Sequence, residues 1–129
     1  MLPITCKTIL FSSIKPLFDS RILVCGVAYK ADIDDYRESP SLRVIEHFEN
    51  HGSIVDAFDP YIEEYRHKDK TYKCLTKITK EQLKKYDLVV ITTGHKNVDY
   101  DMINNYSQLI FDTRNAMKDI KDRSKIELL

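Results

Sequence analysis

The residues best suited to chemistry crowd one stretch, Tyr29-Lys30-Ala31-Asp32-Ile33-Asp34-Asp35-Tyr36-Arg37-Glu38-Ser39-Pro40. It joins an apolar run to Ser39-Pro40, a helix start in which serine caps and proline takes the first position, where its missing N–H costs nothing. Unpaired N–H groups and the dipole at such a start favour an anion. Lys30 adds a mobile ammonium and Arg37 a forked guanidinium, so the chemistry indicated is recognition of phosphate or pyrophosphate. The same charges also read as a solvated loop in which Lys30, Asp32, Asp34, Asp35, Arg37 and Glu38 pair with one another. Asp34 and Asp35 could hold a divalent ion, but no second carboxylate cluster stands at ligand spacing, and no metal site is expected.

The elements that must position this stretch alternate between strand and helix. Ile22 to Val27 is a continuous apolar run, as in a strand buried on both faces of a parallel sheet. The helix opened by Ser39-Pro40 carries Leu42, Val44, Ile45 and Phe48 as one stripe and stops at His51-Gly52. Ile54 to Phe58 reads as a second strand ending at Asp59-Pro60. Between Tyr61 and Thr76, Ile62 and Tyr65 suggest a helical turn and Tyr72 to Leu75 a short strand. Thr79 to Leu83 reads as an N-capped helix, Asp87 to Thr93 as an apolar strand stopped by Gly94, Asp99 to Tyr106 as a helix, and Leu109 to Phe111 as the last clear strand. The order implies an α/β fold, a three-layer sandwich with a mostly parallel sheet and right-handed crossovers. Ligands of such sheets bind outside the carboxyl ends of the strands, which singles out Ala28 to Ser39, Asp59 to Tyr61, Gly94 to Asn97 and Asp112 to Asn115.

Composition narrows the function further. A chain of 129 residues carries 20 basic and 20 acidic side chains, so no bulk field gathers nucleic acid or an anionic membrane. Three glycines, Gly26, Gly52 and Gly94, cannot write G-x-G-x-x-G or the Walker pattern, and a self-contained dinucleotide or P-loop site is not expected. Cys6, Cys25 and Cys74 are odd in number and lack C-x-x-C spacing, which points to a reducing cytoplasm and to packing rather than catalysis. Lys7 and Lys15 interrupt the partly apolar start, so neither a signal peptide nor a membrane span is expected. His95 is the one histidine at a candidate ligand edge, where a polar surface role is the ordinary one. Glu38 reads as an anchor beside Arg37. No nucleophile pairs with a base, so no catalytic residue is assigned.

Gly26-Val27-Ala28-Tyr29-Lys30, then Asp32, Asp34-Asp35, Arg37-Glu38-Ser39-Pro40 and Asp59-Pro60-Tyr61, followed by Thr92-Thr93-Gly94-His95 and Phe111-Asp112-Thr113-Arg114-Asn115, resemble the C-terminal domain of the UDP-glucose/GDP-mannose dehydrogenase family. The likeness runs from about residue 20 to 117 and implies a Rossmann-like sheet. It divides the chain into an N-terminal segment, 1–19, matching the end of the family's central helix, and a nucleotide-sugar-binding domain, 20–129. Family members oxidise C6 of a nucleotide sugar to a carboxylate in two NAD-dependent steps. The resemblance therefore implies that Tyr29, Lys30 and Arg114 contact a UDP-sugar and that Arg37 reaches NAD. Pairing with Asp112 is the plain alternative for Arg114. The NAD fingerprint and the family's catalytic cysteine have no counterpart in this sequence, so NAD would be bound mainly by other domains, and turnover by this chain alone is not expected. Details of the two motifs lean toward the branch acting on UDP-N-acetylhexosamines, in polysaccharide or surface-glycan synthesis. The expected partners are the UDP-sugar and the remaining dehydrogenase domains in trans or a homo-oligomer. Alone, the chain is expected to be a monomer or weak dimer with an exposed apolar docking face. The alternatives are a non-catalytic regulatory or scaffold module of the same fold, and a magnesium-dependent phosphotransfer domain using Asp32, Asp34 and Asp35.

Overall fold

The computed structural model describes residues 19–28, 39–68 and 70–128. Strand β1, Arg21–Cys25, is buried from Ile22 onward and sits inside the sheet with a parallel neighbour on each side. Its side chains alternate between the faces, Ile22 and Val24 joining one core, Leu23 and Cys25 the other. Helix α1, Pro40–Asn50, starts as its sequence demands: the Ser39 hydroxyl accepts from Ser41 N–H, and proline occupies the first turn. Leu42, Ile45 and Phe48 bury its apolar stripe on the first face. The helix ends in a Schellman closure, with Gly52 at φ 83° and Ser53 N–H donating to the Phe48 carbonyl.

Strand β2, Ile54–Phe58, pairs with β1 along its whole length. The helical turn expected around Ile62 and Tyr65 is instead an antiparallel hairpin, β3 at Glu64–His67 and β4 at Lys70–Lys73. Tyr65 and Tyr72 stand directly opposite and stack at 5.0 Å, and Tyr65 is buried in the first core beside Ile62. That cross-strand aromatic pair stabilises the hairpin. The expected Tyr72–Leu75 strand is shifted to β4, while Leu75 makes an isolated bridge to Phe58 that covers the outer edge of β2.

The rest builds the second face. Helix α2, Lys80–Lys85, carries a full capping box between Thr79 and Gln82. Strand β5, Leu88–Ile91, pairs with β1, and helix α3, Tyr100–Tyr106, is capped by Asp99. Leu83 and Ile103 bring the two helices onto Leu23, Val89, Ile91 and Ile110. Strand β6, Ile110–Asp112, is followed by one more, β7 at Ile126–Leu128, which joins in parallel. Its three residues carry no run of apolar side chains, so it left no pattern to read.

The sheet is wholly parallel in the order β2-β1-β5-β6-β7. With α1 on one face and α2 and α3 on the other, it is the three-layer α/β sandwich expected. The chain reverses direction across the sheet between β1 and β5, and the crevice at that point is where such folds take ligands. Among the described residues the large apolar side chains left exposed are Ile54 and Tyr61, at opposite ends of β2. The expected apolar docking face is therefore not found there. No helix among the described residues is long and apolar enough to cross a membrane.

Candidate functional site

The exits of β1 and β5 approach so closely that a side chain at Gly26 has no room. Its φ is 100°, and a Cβ there would lie 2.4 Å from the Thr93 Cβ. The two threonines that follow β5 hold this contact. Thr92 Oγ1 donates to the Gly26 carbonyl at 2.6 Å, and Thr93 Oγ1 donates to the Ala28 carbonyl at 2.7 Å. The Ser39 hydroxyl reaches the same Ala28 carbonyl at 3.4 Å, so the residues flanking positions 29–38 are joined directly.

Asp59, at the exit of β2, is fully buried and gathers four donors. Its Oδ2 accepts from Val27 N–H at 2.8 Å and Ala28 N–H at 3.0 Å, and its Oδ1 accepts from Tyr61 N–H at 2.8 Å. His95 Nε2 lies 2.9 Å from Oδ2. Burial alone pushes this carboxyl up; the His95 ring and the three N–H groups more than reverse that and hold it below the ordinary carboxylate range. An ionised carboxylate only accepts, so Nε2 carries the proton. The surface role expected for His95 is thus corrected: its side chain is wholly buried, with the Tyr61 ring 4.8 Å away and its carbonyl accepting from Tyr100 Oη at 2.7 Å.

Asp112 plays a similar part at the end of β6. Its carboxylate accepts from the backbone of Arg114, Ala116 and Met117 and so shapes the turn that presents Arg114. The side-chain pair considered for Arg114 and Asp112 does not form. Instead Arg114 Nε donates to the Thr92 carbonyl at 3.1 Å, and among the described residues its two Nη groups have no partner. The exposed guanidinium is thereby anchored at its neck.

Tyr29, Lys30 and Arg37 lie outside the described residues, as do Asp32, Asp34, Asp35 and Glu38 of the metal and phosphotransfer alternatives. The start of α1 corrects one expectation. Pro40 has no N–H, Ser41 N–H goes to the Ser39 hydroxyl, and Leu42 N–H goes to the Ser39 carbonyl, so the first-turn donors are already engaged. Cys25 is buried as expected; burial, with the charge of Asp59 adding, pushes its thiol up to about 12, and Cys74 is raised to the same level by the same causes. Among the described residues no three His, Cys, Asp or Glu side chains gather as metal ligands. Sequence reasoning gave no role to Asp59, Thr92 or Thr93. A readable signal was present: Asp59-Pro60-Tyr61 and Asp112-Thr113-Arg114 each place an aspartate two residues before the N–H it accepts.

A family model described as the UDP-glucose/GDP-mannose dehydrogenase family, UDP binding domain, matches residues 23–119. The chain belongs to this dehydrogenase family. Over 113 residues it is 33% identical to a UDP-N-acetyl-D-mannosamine dehydrogenase of Pyrococcus horikoshii, covering 84% of this chain and 24% of that protein. Over 103 residues it is 34% identical to a UDP-glucose 6-dehydrogenase of Rickettsia prowazekii, covering 74% and 24%. The solved structure of a UDP-D-ManNAc dehydrogenase from P. horikoshii superposes with a TM-score of 0.71 at 25% identity, covering 94% of this chain and 28% of that one. The chain spans about a quarter of the length of the curated relatives it matches. The matched residues include every strand end of the crevice, from Gly26 through Arg114.

Proposed function

We propose that this chain is the nucleotide-sugar-binding lobe of an NAD-dependent UDP-sugar 6-dehydrogenase working in the cytoplasm. The observation that carries the reading is Arg114, held by its Nε at the carboxyl edge of the sheet with both Nη groups available among the described residues, in a UDP binding domain. A forked guanidinium matches the paired oxygens of a diphosphate. Tyr29 and Lys30 complete the UDP-sugar contacts in this reading, and Arg37 reaches toward NAD. NAD supplies the hydride acceptor when bound. The described residues include no glycine-rich dinucleotide turn, so in this reading the cofactor is held mainly by the parts of a dehydrogenase beyond the matched quarter, supplied in trans or in an oligomer. A UDP-N-acetylhexosamine is the favoured substrate, supported by the relatives that act on UDP-N-acetyl-D-mannosamine; UDP-glucose is the competitor, supported by the rickettsial relative.

Titration calorimetry with UDP, UDP-glucose and UDP-N-acetylglucosamine tests this. The wild-type chain is expected to bind, and Arg114→Ala and Lys30→Ala are each expected to weaken binding by about 1.5–3 kcal/mol, as for hydrogen bonds to charged groups. A folded wild-type chain that binds none of the three overturns the reading and leaves the regulatory or scaffold module.

A further inference from the structure

The paired register of β1 ends at Cys25, opposite Phe58 on one side and Ile91 on the other, and its last strand bond is Gly26 N–H to the Phe58 carbonyl at 2.7 Å. Beyond that point Val27 and Ala28 have no strand partner, and their N–H groups turn to one carboxylate oxygen of Asp59, the oxygen that also takes His95 Nε2. Three strand exits therefore meet at one buried pair whose members are 36 residues apart in sequence. Burying a carboxylate and an imidazole is costly, and an apolar plug of equal volume stabilises a fold as well or better. What an apolar plug lacks is direction, whereas this pair fixes the height and spacing of the exits of β1, β2 and β5.

The consequence reaches the ligand edge through covalent continuity. His95 ends the segment Thr92-Thr93-Gly94-His95; Thr93 holds the Ala28 carbonyl, and the Thr92 carbonyl anchors Arg114 Nε. We propose that Asp59 and His95 are positioning residues of the UDP-sugar site, a buried latch that holds the β1 and β5 exits where Arg114 and the Ala28–Ser39 junction face one ligand. This rests on the UDP-binding reading above. Also close to the pair among the described residues are the Tyr61 ring on His95 and the thiols of Cys25 and Cys74, both of which sense the charge of Asp59.

Two substitutions separate positioning from packing. His95→Gln can still bring an N–H to the place of Nε2, whereas His95→Leu fills space without a donor. UDP titration at 25 °C is expected to give His95→Gln an affinity within about threefold of wild type and His95→Leu one at least tenfold weaker, with both chains folded by circular dichroism. Wild-type affinity in folded His95→Leu overturns the proposal. Should His95→Leu fail to fold, Tyr100→Phe replaces it, since it removes the bond to the His95 carbonyl; a three- to tenfold loss of UDP affinity supports the latch and an unchanged affinity overturns it. Amide exchange followed by NMR keeps the two readings apart. If wild type does not bind UDP, the binding reading has failed, and the latch is judged on Val27 and Ala28. Their exchange is expected to quicken tenfold or more in the His95 or Tyr100 variant while Val89 and Val90 keep wild-type rates, and unaltered exchange at Val27 and Ala28 overturns it.

Discussion

Gly26 is the residue at which the fold tolerates least. A side chain there has to adopt φ 100° and displace the Thr93 backbone as well as its side chain, so Gly26→Ala is expected to cost about 2–4 kcal/mol from strain and overpacking together. Urea unfolding at neutral pH measures it, and a loss below about 1 kcal/mol means that the β1 and β5 exits can part. Asp59 makes a pH-dependent contribution whose sign follows from its lowered pKa. The ionised form is favoured by folding, so the stabilisation is present above the ordinary carboxylate pKa of about 3.9 and is lost as pH falls through the lowered native value. Asp59→Asn is therefore expected to be less stable at pH 7 but to lose less on acidification. Urea midpoints from pH 7 to 2.5 should converge; parallel curves would mean that this carboxylate does not titrate with unfolding. Cys25 offers a third check, because a buried thiol raised to about 12 is neither accessible nor ionised. Its alkylation should keep pace with global unfolding, and fast labelling of the native chain would contradict its burial.

Single elements depend on caps and faces that differ in how openly the sequence displays them. Ser39→Ala removes the acceptor of Ser41 N–H at the start of α1 and is expected to cost about 0.5–2 kcal/mol in urea; no loss would mean that the helix starts elsewhere. That cap was legible, as were β1 and β5, whose apolar runs are buried on both faces and so need no periodicity to be seen. The hairpin was not: Ile62 and Tyr65 stand three apart, a helical spacing, and only pairing across the turn brings Tyr65 and Tyr72 ring to ring. Strand β7 was hidden because three residues, with Glu127 between apolar neighbours, resemble any surface segment. The carboxyl-edge loops followed from element order alone. The Asp59–His95 pair did not, because a contact across 36 residues belongs to the packing of three strand ends rather than to any local pattern.

At the scale of the molecule, two apolar layers share one sheet, and their energies should add without breaking cooperativity. Ile45 packs on one face and Ile103 on the other. Ile45→Val and Ile103→Val are each expected to cost about 0.5–1.5 kcal/mol, and the double variant their sum within about 0.5 kcal/mol, in a single transition seen alike by circular dichroism and tyrosine fluorescence. Non-coincident probes would show that the layers unfold separately. The wholly parallel sheet also sets a schedule for the nascent chain. Strand β1 gains its first partner when β2 is made, but its other edge waits for β5, a separation of 66 residues between Arg21 and Asp87. At the usual pace of translation that interval is roughly three to thirteen seconds. For that time one edge of this apolar strand is open at the ribosome, where a chaperone or a neighbouring nascent chain competes for it before β5 arrives.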